Sequence, residues 1–336
     1  MPDTQSNSHM PLVEVEDLVK HFPKRGGLLN RVVAKVHAVN GVSFQIQRGE
    51  TVGIVGESGC GKSTLGKTLL RLIEPTSGAI AFNGQPINGL GHNEMMLLRR
   101  EMQFIFQDPY SSLNPRFTAG GMLREVARFH KIRPAAKIDA YVDQIIAKVG
   151  LRPEARNRYP HEFSGGQRQR LNIARALAVE PQFIVADEPV SALDVSIQAQ
   201  ILNLLMDLKD DFKLTILFIS HDLKVVQHFC DRMLVMYLGH IVEELPCDDI
   251  HSEAKHPYTI ALLGANPIND PSERHELTVL EGEVPSPYNP PPGCPFTTRC
   301  PLVEPRCHEQ MPPLEAIGER HQVACWPVME QVRGEW

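Results

Sequence analysis

The chain has 336 residues, with 34 Lys and Arg against 40 Asp and Glu, a formal charge of −6 and 42% hydrophobic residues. That composition suits a globular protein of about two domains, and its anionic balance argues against a general nucleic-acid binder, which needs a cationic surface. No run of 18 uncharged apolar residues occurs, and Met1 to Met10 is polar throughout, so neither a membrane span nor a secretory signal is expected.

Residues 1–10 are expected to be disordered. From Val13 onward, short apolar runs alternate with helical patterns, which predicts an α/β body with a largely parallel sheet. Thr51 to Val55 is the first buried-strand candidate. Directly after it comes Gly56-Glu57-Ser58-Gly59-Cys60-Gly61-Lys62-Ser63-Thr64, followed by a helical pattern (Leu65, Leu69, Leu70, Leu72, Ile73) that stops at Pro75. Strand, G-x-x-x-x-G-K-S and helix stand in the order a phosphate-binding loop requires. The glycines let successive N–H groups turn toward phosphate oxygens, and the helix N-terminus adds orphan donors and partial positive charge. Lys62 is expected to reach the β and γ phosphates, Ser63 to offer a hydroxyl to Mg2+ and Thr64 to bond a neighbouring phosphate. Cys60, at a helix N-terminus where a thiol pKa can fall, is read as filling space rather than reacting.

Gln107 follows the apolar Phe104-Ile105-Phe106, and residues 108 to 160 then break the strand and helix alternation. Within them Ile138, Val142, Ile145, Ile146 and Val149 repeat with helical spacing up to Gly150, which predicts a helical insert. Ser164-Gly165-Gly166-Gln167 opens another helix, with Leu171, Ile173, Ala174 and Leu177 as its apolar side. Such a terminus is a second anion-binding helix end. Phe183 to Ala186 predicts a second buried strand, ending in Asp187-Glu188. Adjacent strand residues point to opposite faces, so one acid can turn to metal and the other to water. Asp187 fits the Mg2+ side and Glu188 the general base. Ile197, Ile201, Leu204, Leu205 and Leu208 form one face of a helix, and Leu214 to Ile219 predicts a third strand, ending in Ser220-His221-Asp222.

Beyond His256 the pattern fades. Fourteen of the 27 prolines lie there, and Pro285 to Pro295 is expected to continue neither a helix nor an interior strand. Of seven cysteines, Cys60, Cys230 and Cys247 are scattered, whereas Cys294, Cys300, Cys307 and Cys325 crowd the last 43 residues. In a reducing compartment such a cluster reads as a metal site before it reads as disulfides, with Zn2+ and an iron–sulfur cluster both open.

Phosphate loop, Gln107, Phe163-Ser164-Gly165-Gly166-Gln167, Asp187-Glu188, Ser191-Ala192-Leu193-Asp194 and His221, in this order, resemble the motif set of ATP-binding cassette (ABC) transporter ATPases. The resemblance implies a P-loop cassette with a helical subdomain over about 108–163. It also implies a head-to-tail dimer that sandwiches ATP between one subunit's phosphate loop and the other's Ser164-Gly165-Gly166-Gln167. It further implies that Gln107 senses Mg2+ and the γ-phosphate, that His221 is a catalytic switch, that Asp194 crosses the dimer interface, and that Phe22 stacks on adenine. The segments Asp108 to Arg116, Arg158 to Glu162, Ala186 to Val195 and His256-Pro257-Tyr258-Thr259 resemble more closely the ATPases of dipeptide and oligopeptide importers, in particular the second, F-type subunit. That implies a cassette over 11–255 and a C-terminal extension over 256–336. Its partners would be a second ABC ATPase subunit in a heterodimer, two permease subunits that bring it to the cytoplasmic face of the inner membrane, and indirectly a solute-binding protein, with no nucleic acid. The resemblance also favours a [4Fe–4S] cluster on Cys294, Cys300, Cys307 and Cys325 over zinc. A nickel, glutathione or sugar cargo is an alternative. A soluble ABC ATPase working on DNA or ribosomes is disfavoured, because only 56 residues separate Gln107 from Ser164 and each motif occurs once.

Overall fold

A computed structural model describes residues 10–26, 31–248, 250–265, 282 and 285–334; nearly all of the N-terminal stretch expected to be disordered lies outside them. The chain divides into two units, one built from residues 1–12, 46–51 and 83–219, the other from 13–45, 52–82 and 220–336.

The first unit is organised on three parallel strands, Met102–Ile105, Phe183–Asp187 and Thr215–Ile219, with Met102 opposite Phe183 and Phe183 opposite Thr215. Every residue of the latter two strands is buried, as in a parallel sheet covered on both faces, which is why they read as unbroken apolar runs. The helix Gly165–Leu177 buries Leu171, Ile173, Ala174 and Leu177, and the helix Val195–Phe212 buries Ile201, Leu204, Leu205 and Leu208. The expected insert consists of short helices, chiefly Ala119–Phe129 and Ile138–Lys148. Thr118 caps the former by accepting from the Gly121 amide. Gly150, at φ +70°, follows the latter in the left-handed conformation that commonly ends helices.

The second unit holds the strand Thr51–Val55 from Val52 onward, parallel to Arg232–Tyr237, with Val52 opposite Arg232 and Val55 opposite Val235. His240–Pro246 continues antiparallel from there. The long strand Val13–Gly26 lies between Arg31–Ile46 and Ser77–Phe82 and pairs antiparallel with the latter. The sheet structure is therefore more mixed than the alternation of runs predicts, because Val13–Gly26 and Arg31–Ile46 are successive long strands.

The tail carries more regular structure than its prolines suggest. Helices run over Pro257–Gly264, Pro305–Glu309 and Trp326–Arg333, and His321–Val323 pairs antiparallel with both His240–Pro246 and Glu315–Gly318. Each helix has proline in its first turn, where the missing N–H would have no intrahelical partner. The attachment centres on Glu243, which is fully buried. Its carboxylate accepts from the backbone N–H of Lys255 (2.7 Å) and of His256 (3.1 Å), and lies 2.8 Å from Nε2 of His321. Burial alone would raise this acid's pKa, but hydrogen bonding, that of His321 first, outweighs it and holds the pKa below the usual range. No helix among the described residues is long and apolar enough to cross a membrane.

Candidate functional site

In the second unit the chain leaves the strand ending at Val55 through Gly56 (φ +149°), Gly59 (φ +81°) and Gly61 (φ +112°), and enters the helix Lys62–Leu69. Space as well as conformation demands glycine here. A Cβ on Gly56 would lie 2.1 Å from the Met236 carbonyl oxygen, and one on Gly61 2.0 Å from that of Ala38. Lys62 is buried, and its ammonium donates to the carbonyls of Gly56 (2.7 Å) and Glu57 (3.0 Å), which hold the charge at the mouth of the loop. Ser63 and Thr64 are half-buried in the first helical turn. Burial pushes the Cys60 thiol above its ordinary pKa despite the nearby Lys62, so this cysteine packs rather than reacts.

Two residues that sequence reasoning did not assign to the loop also fix Glu57. The hydroxyl of Tyr258 accepts from its backbone N–H at 2.8 Å, and Arg299 grips its carboxylate with two nitrogens at 2.9 and 3.2 Å. Tyr258 falls in a segment that carried the family resemblance; nothing marks Arg299 in the sequence.

Also in this unit, Phe22 is half-buried, with the ammonium of Lys20 4.8 Å from its ring centroid. His221 is exposed, between the buried Ser220 and Asp222, whose carboxylate caps the helix Leu223–Phe229 through the amides of Lys224 and Val225.

In the first unit, Asp187 is buried at the end of its strand and Glu188 follows in the left-handed region, φ +44°. A non-glycine residue held there carries strain of about 1–3 kcal/mol, and such residues cluster at functional sites. The turn is held by the Glu188 amide donating to the Ile219 carbonyl (2.9 Å) and by the Ser191 hydroxyl donating to the Glu188 carbonyl (3.1 Å). Gln107, exposed beyond the neighbouring strand, donates through Nε2 to Oε2 of Glu188 at 2.8 Å. The sequence candidates Gln107 and Glu188, 81 positions apart, are thus in direct contact. Ser164 caps the helix Gly165–Leu177 in a reciprocal box with Gln167: the serine hydroxyl accepts from the Gln167 amide, and the Gln167 side chain accepts from the Ser164 amide. Gly165 and Gly166 form the first turn. A Cβ on Gly166 would lie 2.6 Å from Ile197. The mouth of this helix opens on a cavity of about 520 Å3 whose walls include Arg152, Arg158 and Arg170. Asp194 is exposed at the N-terminus of Val195–Phe212, where its carbonyl accepts from the Ile197 and Gln198 amides.

The four tail cysteines do converge. Cys294, Cys300, Cys307 and Cys325 line one small cavity with His256 and Trp326, and the Cys294 amide donates to the Cys307 carbonyl at 2.8 Å. The iron–sulfur expectation is nevertheless corrected. Among the described residues no group of three or more His, Cys, Asp or Glu could hold a metal ion. Burial also pushes the Cys294 thiol up to about 11 and Cys325 to about 12, so neither is a thiolate in the metal-free chain. The zinc alternative falls on the same ground.

A glycine-cradled lysine at a helix start, a buried Asp followed by a strained Glu that a glutamine engages, and a Ser-Gly-Gly-Gln helix cap define the class: an ATP-binding cassette. The ABC transporter family profile matches residues 39–191, and the profile of the oligopeptide/dipeptide transporter C-terminal region matches residues 242–307. The oligopeptide transport ATP-binding protein AppF of Bacillus subtilis is 50% identical, over 94% of this chain and 96% of that one. The probable peptide ABC transporter ATP-binding protein y4tS of Sinorhizobium fredii is 52% identical, over 94% and 89%. Among solved structures, the ATP-binding cassette MJ0796 in a dimeric, post-hydrolysis state with ADP and Pi superposes with a TM-score of 0.61 at 29% identity, covering 70% of this chain and 98% of that one. The cassette cbiO1 of Clostridium perfringens gives 0.61 at 28% identity, covering 72% and 91%. The chain belongs to the ABC transporter ATP-binding proteins of the oligopeptide and dipeptide type.

Proposed function

We propose that this chain is the ATP-hydrolysing subunit of an ABC importer that takes up di- and oligopeptides through separate permease subunits. The observation that carries the reading is the 2.8 Å hydrogen bond from Gln107 to a Glu188 held at φ +44°. It is a carboxylate fixed in orientation by its backbone and by an amide, in a chain whose relatives are named as peptide transport ATP-binding proteins. In this reading Lys62 and the amides of Gly56 to Gly61 bind the β and γ phosphates, Phe22 stacks on adenine, and Glu188 accepts the proton of the attacking water. Gln107 orients that carboxylate, and His221 senses the γ-phosphate. Ser63, Gln107 and Asp187 each offer an oxygen, as a hard cation prefers, and by the resemblance they would serve Mg2+, which would neutralise charge developing on the phosphates.

The Ser164-Gly165-Gly166-Gln167 turn serves the nucleotide of a second ABC ATPase subunit, and Asp194 faces that partner. The pair is a heterodimer docked through the 108–163 insert on two permeases at the cytoplasmic face of the inner membrane, and a solute-binding protein delivers cargo from the far side. The cassette covers 11–255 and the extension 256–336.

Glu188→Gln tests the base: steady-state hydrolysis should fall about 100- to 10,000-fold while ATP still binds. Unchanged hydrolysis refutes the assignment. Reconstitution with the co-purifying permeases and binding protein in vesicles should give ATP-dependent uptake of labelled dipeptide, and uptake of nickel or a sugar in its place refutes the cargo.

A further inference from the structure

The tail side chains that hold Glu57 have a use that the transport cycle as outlined does not give them. Glu57 is the first variable residue of the phosphate loop, and its carboxylate adds negative charge to a loop whose other groups gather positive charge for a polyanion. Arg299 answers that charge with a two-pronged contact in which the arginine side chain is 6% exposed and the glutamate 29%. Its guanidinium is delivered by a turn in which the Arg299 amide donates to the Phe296 carbonyl at 3.0 Å. Phe296 is locked in a buried aromatic cluster, 5.3 Å from Tyr237 and 5.5 Å from Tyr258 between ring centroids. Tyr258 in turn takes up the Glu57 N–H, while Lys62 takes up the Glu57 carbonyl. Amide, carbonyl and carboxylate of one loop residue are therefore each held, two of the three by the C-terminal segment.

We propose that Arg299, seated by Phe296 and Tyr258, is a positioning residue of the nucleotide site: it cancels the phosphate loop's own carboxylate, so that the C-terminal segment sets the affinity for ATP. The proposal rests on the reading of the loop as an ATP site and is independent of what the importer carries. Without Arg299, an uncompensated carboxylate faces the phosphates. At separations of several ångströms and an intermediate effective dielectric, that repulsion weakens binding about 10- to 100-fold. Arg299 touches no reacting atom, so turnover at saturating ATP changes little.

The test uses the full-length protein with a fluorescent ATP analogue, together with KM and kcat for ATP hydrolysis, in four forms: parent, Arg299→Met, Glu57→Gln and the double variant. Arg299→Met should raise Kd and KM about 10- to 100-fold with kcat within about 3-fold. Glu57→Gln keeps the loop's backbone amide and removes only its negative charge, so it should bind more tightly than the parent, and the double variant should return to within about 3-fold of the parent, because a neutral loop needs no counter-charge. A double variant as weak as Arg299→Met would overturn the proposal by showing that the arginine merely supports the fold of the tail. Glu57→Gln binding as poorly as Arg299→Met would overturn it too, since the carboxylate would then be required rather than tolerated. Should Arg299→Met fail to fold, Glu57→Gln alone still decides. A parent protein that binds no ATP analogue overturns the ATP reading and the proposal together, whereas a sound four-way result with no peptide uptake overturns only the cargo.

Discussion

Acid should loosen this protein through one buried histidine before it protonates the carboxylates. His256 is 1% exposed and begins the helix Pro257–Gly264, where its Nδ1 accepts the Tyr258 amide at 3.1 Å. That bond requires a lone pair on Nδ1 and therefore a ring without a proton there. Burial lowers the pKa of His256 to about 4, with Glu243 pulling weakly the other way. In the unfolded chain the ring titrates near its ordinary value of about 6.5. As pH falls through about 6.5, the unfolded chain takes up a proton that the folded one refuses, so stability is lost from there down to about 4. Between pH 7 and pH 5 the linkage relation gives a loss of about 2 kcal/mol from this residue alone, a large part of a stability that is typically about 5–15 kcal/mol. The perturbation is His256→Asn, which keeps a capping oxygen and removes the titration. Urea unfolding at pH 7 and at pH 5, followed by far-UV circular dichroism, should show the variant losing about 2 kcal/mol less than the parent over that interval. Equal losses in the two proteins would refute the assignment, as would a parent that grows more stable at pH 5.

Two further substitutions test the site itself. Gly61→Ala places a methyl group 2.0 Å from the Ala38 carbonyl oxygen at φ +112°, so the loop must open and binding of a fluorescent ATP analogue should be lost, with near-parental binding as the contrary result. Gln107→Leu removes the donor to Glu188, and if Glu188 is the base as proposed, kcat should fall about 10- to 100-fold with little change in KM. A change in KM alone would mean that Gln107 binds nucleotide without orienting the base.

The buried strands were legible because Phe183 to Ala186 and Ile216 to Ile219 are covered on both faces and therefore apolar. The helix Gly165–Leu177 was legible because its cap, Ser164 with Gln167, is local. Val13–Gly26 and Arg31–Ile46 were not: both carry many exposed or half-buried polar positions, and their strand character depends on pairing that no local pattern encodes. Nor does any pattern encode the strand His321–Val323, three residues that become a strand by pairing with His240–Pro246 and Glu315–Gly318. Proline count misled for a physical reason, because Pro257, Pro305 and Pro327 sit at helix starts, where proline is tolerated. Among the candidate site residues, sequence order singled out the phosphate loop and Glu188, but the left-handed turn at Glu188 and the grip of Arg299 on Glu57 arise only in three dimensions. The cysteine run converges on one cavity, but the metal site expected from it is not formed among the described residues. What it could not announce is how far burial would raise the thiols.

The contact between Glu57 and Arg299 spans 242 positions of the chain, and this gives the protein an order of events during its own synthesis. The phosphate loop leaves the ribosome early, with its carboxylate unanswered. It acquires its counter-charge only when residue 299 has been translated and Phe296 has found Tyr237 and Tyr258. A cassette truncated before that point keeps every nucleotide motif and still lacks the residue that neutralises its loop. On the proposed role of Arg299, chains cut before it should be poor competitors for ATP.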